Sequence, residues 1–204
     1  VGSDQSNGYP RQEVDLQSQW LNWKSSEERK RTLFAIFIIS SLLTTAYNQT
    51  PTIMNSEILL DLPCDEQLWS ADSAQAWQNL GGLAAVESES VSFSGALSTL
   101  LTANQRQSGN YGSQAFNGNN PLGALQAGDS LDENDLRPST FGCLVLINAL
   151  HNYIWETRSR HHGRQWTAQE SESMFSHIEP ALNAWQAAWK ANDHHKLERP
   201  NPFG

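Results

Sequence analysis

Residues 27–43 read EERKRTLFAIFIISSLL, in which a charged turn is followed, after Thr32, by the largely apolar run of eleven residues 33–43. The surrounding helical pattern extends from about Trp20 to Tyr47, so this stretch predicts one long helix with a charged end and an apolar end. The apolar run is shorter than the about 20 residues that a membrane span needs. It therefore predicts a helix that is buried on all sides in a protein core.

Two carboxylates in the charged turn can reach the same guanidinium. Glu27 lies four residues before Arg31 and Glu28 lies three residues before it, so all three share one helix face. The interpretation we favour from sequence is a solvated ion pair worth a few tenths of a kcal/mol. The alternative is a packed Arg31 that locks a neighbouring element against the helix.

The rest of the chain predicts further helices joined by loops. Asn48 and Pro51 end the long helix, because Asn tolerates a left-handed cap and Pro cannot continue a helix. Other helical patterns run over 70–80, begin after Ser90 or Ser92, cover 141–155 and start at Thr167, while Gly, Asn, Gln and Ser dominate 102–130. No segment alternates like a strand between turns. The predicted fold class is all-α, an irregular multi-helix bundle or array.

Charge and motif content exclude several functions for this chain. The 13 basic and 22 acidic residues give a net charge of −9, which opposes binding to a phosphate backbone. Cys64 and Cys143 are far apart, so they cannot form a CxxC zinc framework. No catalytic or cofactor-binding motif is present. We expect no enzymatic activity and no cofactor in this chain.

Three separated stretches carry a family resemblance. They are Trp23-Lys24 with 27–38, then Tyr47-Asn48-Gln49-Thr50-Pro51, then Ile58 to Leu62 with Pro63-Cys64-Asp65-Glu66-Gln67-Leu68-Trp69. In this order and spacing they resemble the fungal-specific transcription factor domain, the middle homology region of fungal zinc-finger transcription factors. The helix over 138–156 and the Trp185 to Trp189 stretch resemble the variant found with C2H2 fingers more than the one found with Zn2Cys6 clusters.

The resemblance implies a regulatory module that contributes to RNA polymerase II transcription in the nucleus without contacting DNA itself. It implies that DNA and zinc are bound by a zinc finger absent from this chain. The implied partners are transcriptional machinery or regulatory proteins, a small-molecule effector and a second copy in a homodimer, but no membrane. The motif residues that match the family pattern are Glu27, Glu28, Arg31, Phe34, Pro51, Pro63, Asp65 and Trp69.

The resemblance also predicts a domain organisation. Residues 1–18 form a flexible lead-in, and 19–204 form the helical regulatory domain with a flexible loop over 102–137. The chain stops before the family's domain would end, so the domain is expected to be incomplete. Apolar faces of the helices at Phe141 and Trp185 are then expected to be exposed.

Two other functions stay open from the residues. One is a free-standing helical protein that binds an apolar ligand or a protein partner, which predicts no zinc finger upstream in the gene. The other is an all-α enzyme, in which Glu28, Asp65 or His151 would have to meet in a deep pocket.

Overall fold

A computed structural model describes residues 9–103, 136–159 and 165–192. This part of the chain contains seven α-helices and no strand, apart from one isolated bridge between Asp61 and Ser92. The predicted all-α fold class is confirmed. The helices are α1 (Tyr9–Tyr47), α2 (Glu66–Ser70), α3 (Ala74–Asn79), α4 (Gly82–Ser88), α5 (Phe93–Leu101), α6 (Thr140–Ser159) and α7 (Ala168–Ala191), with a short 3₁₀ turn at Asn55–Glu57.

The longest helix begins earlier than the sequence indicates. The expected lead-in over 1–18 is wrong from Tyr9 onward, because α1 already begins there. Pro10 stands in the first turn, where a helix makes no use of the backbone N–H that proline lacks. At its other end α1 stops at Tyr47, and Asn48 adopts the left-handed conformation with a φ of 52°. The predicted end of the helix is confirmed.

Side-chain caps set the starts of the shorter helices. Ser73, Ser92 and Thr167 each accept a hydrogen bond from a backbone N–H in the first turn of the helix that follows. The helix expected over 70–80 corresponds to α3, which begins only after the Ser73 cap, while α2 precedes it and ends at Ser70. Gly81, with a φ of 101°, then turns the chain directly into α4. Most of the expected loop over 102–137 lies outside the described residues.

Two clusters of buried side chains hold the helices together, and α1 runs through both. The tryptophan core lies beside the first half of α1, where Trp23 stacks on Trp77 with ring centroids 5.3 Å apart. The main core lies beside the second half, where α1 packs against α6 and its Phe34 and Phe37 contact Phe93 of α5, while α7 packs against α5 and α6. The tryptophan core comprises Trp20, Trp23, Leu68, Ala71, Ala74 and Trp77, and the main core is centred on Phe34, Phe37, Phe93, Leu97, Leu100, Val145, Leu146, Ala149, Leu150 and Ala181.

The prediction that the apolar part of α1 is buried on all sides is wrong. Phe34 and Phe37 are fully buried, but Leu33, Ile36 and Ile39 are about half exposed. At 1.5 Å per residue α1 is about 58 Å long, and its main helix contacts are with α3 and α6. One face of the apolar run therefore remains uncovered.

The helices at Phe141 and Trp185 each bury one face and expose apolar side chains elsewhere: Leu144 of α6 is 43% exposed and Leu182 of α7 is 38% exposed. Val145, Leu146 and Leu150 of α6 are completely buried, and the Trp185 indole donates to the Cys143 carbonyl oxygen at 2.8 Å. Pro180 lies within α7, which continues past it as one helix. None of the helices in the described residues is both long enough and apolar enough to span a membrane.

Candidate functional site

A buried carboxylate on α1 organises the most polar contact of the described residues. The side chain of Glu27 is 1% exposed, and its oxygens accept from Lys30 Nζ at 2.7 Å and Arg31 Nε at 3.0 Å. The same carboxylate accepts from the backbone N–H of Cys64 at 3.0 Å, across to the loop that follows Leu62. We call Glu27, Lys30, Arg31 and the backbone of Cys64 the Glu27 clamp.

Arg31 is packed and not solvated. Its Nη2 donates to the carbonyl oxygen of Cys64 at 2.8 Å. The guanidinium carbon lies 4.8 Å from the ring centroid of Trp69 and 5.6 Å from that of Phe141, within the range of cation–π attraction. The favoured prediction of a solvated ion pair is wrong, and the alternative of a packed arginine that locks a neighbouring element is right. The reason is that the loop supplies a backbone donor and an acceptor, which local spacing could not reveal.

The loop held by the clamp also reaches α6. Lys30 Nζ donates to the Leu62 carbonyl oxygen at 3.3 Å, while the Ser139 hydroxyl donates to the Pro63 carbonyl oxygen at 3.0 Å. Asp65 caps α2 by accepting from the backbone N–H of Gln67 at 2.7 Å. One short loop therefore ties α1, α2 and the beginning of α6 together.

Glu66 completes this connection from α2. Its two carboxylate oxygens accept from the backbone N–H groups of Thr140 and Phe141, at 3.1 and 2.9 Å. These donors have no partner within their own helix, since they belong to the first turn of α6. A negative charge at this position also interacts favourably with the helix dipole. Glu66 thus fixes the start of α6 against α2.

The electrostatics of the clamp favour a charged carboxylate beside a neutral thiol. Burial alone would raise the pKa of Glu27, but Lys30, the Cys64 N–H and Arg31 outweigh it and hold that pKa below its ordinary value. Burial raises the pKa of the Cys64 thiol to about 12, with a further contribution from the Glu27 charge. Burial likewise raises the pKa of Cys143 to about 12. Neither thiol is a nucleophile near neutral pH, because only the thiolate reacts.

Five of the eight predicted motif residues come together around the clamp: Glu27, Arg31, Pro63, Asp65 and Trp69. Glu28 does not, since it is exposed and the acidic partner of Arg31 is Glu27. Phe34 lies in the main core with its ring 5.9 Å from that of Phe93. Pro51 is buried after the end of α1. The motif therefore divides into a polar cluster and separate packing positions.

Sequence reasoning missed Lys24 as a clamp neighbour. Its Nζ donates to the Ala71 carbonyl oxygen at 2.9 Å and lies 4.9 Å from the Trp20 ring and 5.6 Å from the Trp69 ring. Lys24 precedes Arg31 by seven residues, which is two turns along the same face, so the spacing alone could have predicted that the two side chains lie side by side. Glu66 carried no such signal, because its partners lie more than seventy residues later.

A cavity of about 820 Å³ opens beside the clamp. Its lining includes Lys30, Cys64 and Asp65 from the clamp region, with Glu89, Val91 and Arg137 from elsewhere. This volume falls within the range of about 300 to 1,000 Å³ that is typical of small-molecule sites. No cluster of three or more His, Cys, Asp or Glu side chains suited to a metal ion occurs within 9–103, 136–159 and 165–192.

The arrangement is better suited to holding helices together than to catalysing a reaction. Glu27 is occupied by three donors and the thiol beside it is protonated, while Asp65 is committed to a helix cap. Glu28 and His151, the other candidates for an enzyme site, are exposed on α1 and α6. Together the fold and the clamp define an all-helical domain in which one polar loop joins three helices.

The family is established by sequence comparison. The sequence model of the fungal specific transcription factor domain matches residues 2–187, and this chain belongs to that family. A stretch of 64 residues, 31% of the chain, is 38% identical to zinc finger protein klf1 of Schizosaccharomyces pombe (strain 972 / ATCC 24843). That stretch covers 8% of the klf1 protein. No solved structure matches the chain significantly.

Proposed function

We propose that this chain is the regulatory module of a fungal zinc-finger transcription factor. In this proposal it adjusts RNA polymerase II transcription in the nucleus, while a zinc finger elsewhere in the protein binds the metal and the DNA. The observation that carries the proposal is the family match over residues 2–187. The net charge of −9 supports the absence of DNA contact, because a chain of this charge repels a phosphate backbone.

The similarity to klf1 favours a zinc-finger protein as the whole, since klf1 is named a zinc finger protein. C2H2 fingers remain our preferred class. Zinc has no fitting ligand set among the described residues of this chain. The partners we propose for the module itself are transcriptional machinery or regulatory proteins.

The mechanism we propose is a shift between two helical packings at the Glu27 clamp. The clamp joins α1, α2 and α6 through a single loop, so a partner that binds one arrangement of this loop better would change how all three helices pack. A small-molecule effector in the adjacent cavity of about 820 Å³ would act in the same way. A thermal-shift screen of metabolites tests the effector, and a screen in which no compound raises the melting temperature contradicts it.

A reporter assay tests the regulatory function directly. Residues 1–204 are fused to a heterologous DNA-binding domain that has no activation function of its own, in a yeast reporter strain. We expect reporter expression to change several-fold in comparison with the DNA-binding domain alone. The same fusion with Glu27→Ala should lose this effect because the clamp is broken, and the exposed substitution Glu28→Ala should keep it. Equal expression from the fusion and the bare domain would contradict the proposal.

Fluorescence anisotropy with a labelled duplex tests the separation from DNA binding. The isolated chain should not bind at about 100 mM salt, where basic DNA-binding domains still bind tightly. Saturable binding that weakens with added salt would show phosphate contacts in this chain. The alternative of a free-standing helical binding protein is tested by the gene itself: a zinc finger in the same reading frame contradicts it.

A further inference from the structure

The second half of α1 exposes a continuous apolar face. Six large side chains on this face are between 48% and 68% exposed, and no charged residue lies between Thr32 and Tyr47. We call these side chains the outer stripe. They are Leu33, Ile36, Ile39, Leu42, Leu43 and Tyr47.

The buried face of the same helix segment begins with Phe34, Phe37 and Ile38 in the main core and becomes polar from Ser40 onward. Ser40, Ser41 and Thr44 are at most 7% exposed and face the interior. Ser41 donates to the Asn148 carbonyl oxygen at 3.3 Å, and Ser40 accepts from the Thr52 N–H at 3.0 Å. A buried leucine contributes about 1.5 to 3 kcal/mol through its removal from water, whereas a buried hydroxyl needs a partner merely to avoid a cost. Over 40–44 the two leucines therefore lie on the outside while the hydroxyls lie inside, which suits a helix whose outer side is also covered.

The spacing of the outer stripe fits a second helix. Ile36, Ile39, Leu43 and Ala46 follow one another at three, four and three residues, the pattern with which one helix packs along another. All four are exposed on α1. The seam is about 15 Å long at 1.5 Å per residue, which is close to three helical turns. A helix laid along α1 would cover Leu33 and Leu42 as flanking residues.

The simplest partner for this seam is the same seam of a second copy of the chain. In an antiparallel pair, Ile36 of one copy lies opposite Ala46 of the other, and Ile39 lies opposite Leu43. Four apolar layers then form around a twofold axis. The uncharged stripe meets an uncharged stripe, so no ionic group is buried without a partner.

The exposed area is close to what a dimer needs. The six side chains of the outer stripe together expose on the order of 600 Å² per copy, against about 800 Å² per partner in a stable interface. An adjoining apolar groove of about 260 Å³, lined by Leu33, Phe37, Ile53 and Leu59, adds to this area. Leu59 is 91% exposed at the edge of the groove.

We propose that the chain forms a twofold-symmetric homodimer by antiparallel packing of the outer stripes of two α1 helices. Tyr47 of each copy reaches the groove beside Leu33 of the other. The dimer brings two regulatory domains, and whatever is attached to them, into a fixed relation. This dimer proposal does not depend on the transcriptional role, since its evidence comes from α1 and the groove beside it.

Sedimentation equilibrium of the 204-residue chain tests the dimer. We expect a concentration-dependent mass of two copies, with association that strengthens in added salt, because copies of net charge −9 repel each other across an uncharged seam. Ile39→Glu should weaken association at least tenfold while leaving the helical circular dichroism unchanged. The control Phe175→Glu changes an equally exposed apolar side chain on α7 and should leave the dimer intact. A wild-type chain that is monomeric at all concentrations, or an Ile39→Glu chain that still pairs, overturns the proposal.

Disulfide trapping tests the antiparallel direction. Ile39→Cys combined with Leu43→Cys should form an intermolecular disulfide under mild oxidation, since these positions lie opposite each other in the antiparallel pair. Ile39→Cys alone should not, whereas a parallel pair would place it opposite itself. Cys64 and Cys143 should compete little, because burial raises the pKa of each thiol to about 12. Trapping by the single variant and not by the double variant would overturn the antiparallel arrangement.

Discussion

The two halves of α1 place opposite kinds of side chain against the rest of the molecule. In the first half, 20–31, charged groups point inward, and Glu27, Lys30 and Arg31 all have partners in the loop after Leu62. In the second half, 33–47, Phe34, Phe37 and Ile38 point inward first and the hydroxyls of 40–44 follow them, while six large apolar side chains point outward. The difference shows that what α1 buries is decided by the groups available opposite it.

Each half therefore departs from the usual inside-outside rule for its own reason. The charges of the first half are stabilised because a loop backbone offers an N–H and carbonyl oxygens at the right places. The leucines of the second half are about half exposed on their outer side. A perturbation of the first half should therefore cost folding free energy, and one of the second half should mainly change association.

The largest effect is expected from Glu27→Ala. The substitution leaves Lys30, Arg31 and the Cys64 N–H without their shared acceptor in a buried place. Breaking one side of a buried ion pair costs about 3 to 5 kcal/mol. Urea unfolding followed by circular dichroism measures this loss, with Glu28→Ala as the exposed control, which should stay within about 0.5 kcal/mol. Equal losses for the two variants would show that the clamp does not hold the first half.

Arg31→Ala should have a smaller effect, of about 1 to 3 kcal/mol. The variant loses the bond to the Cys64 carbonyl oxygen and the contact with Trp69, but Lys30 still neutralises Glu27. Arg31→Lys should recover little of the loss, since an ammonium cannot reproduce the planar fork over an indole. Arg29→Ala, at an exposed position on the same turn, serves as the control in the same urea experiment. If Arg31→Ala changed the unfolding free energy by no more than about 0.5 kcal/mol, the result would support a solvated ion pair and contradict a packed arginine.

Much of the fold could be predicted from local pattern. The end of α1 at Asn48 and the start of α7 after Thr167 each depend on residues next to the boundary, and both are confirmed. Of the two starts that the sequence left open for α5, Ser90 and Ser92, the structure uses Ser92. The start of α1 was missed because Gly8 and Pro10 indicate a turn, although Pro is tolerated in a first helical turn.

The site could be predicted only in part, for a related physical reason. The i, i+4 spacing placed Glu27 beside Arg31, but helix spacing carries no information about a loop 33 residues later. Burial of the pair and the role of Glu66 therefore became visible only in three dimensions. Likewise, the length of the apolar run in α1 does not say how many of its sides other helices cover.

Acid should destabilise the first half selectively. The pKa of Glu27 is lowered on folding, so its contribution is present above the unfolded value of about 4.3 and is lost as the pH falls through the lower folded pKa. We expect the unfolding free energy to fall more steeply below about pH 4.3 in the wild type than in Glu27→Gln, which has no carboxylate to titrate. Unfolding measured from pH 6 down to pH 3 gives both slopes. Parallel curves would show that the charge of Glu27 contributes nothing.

The smallest effect on folding is expected in the outer stripe. Leu42 is 54% exposed, so Leu42→Ser should change the unfolding free energy by no more than about 0.5 kcal/mol at protein concentrations too low for pairing. The same substitution at the completely buried Leu150 of α6 should cost at least about 3 kcal/mol, because it leaves a cavity that holds an unpartnered hydroxyl. At concentrations where copies pair, Leu42→Ser should lower stability further through lost association. A loss above about 1.5 kcal/mol in the dilute sample would mean that Leu42 is already covered within one copy, and the two halves of α1 would then differ less than their exposure indicates.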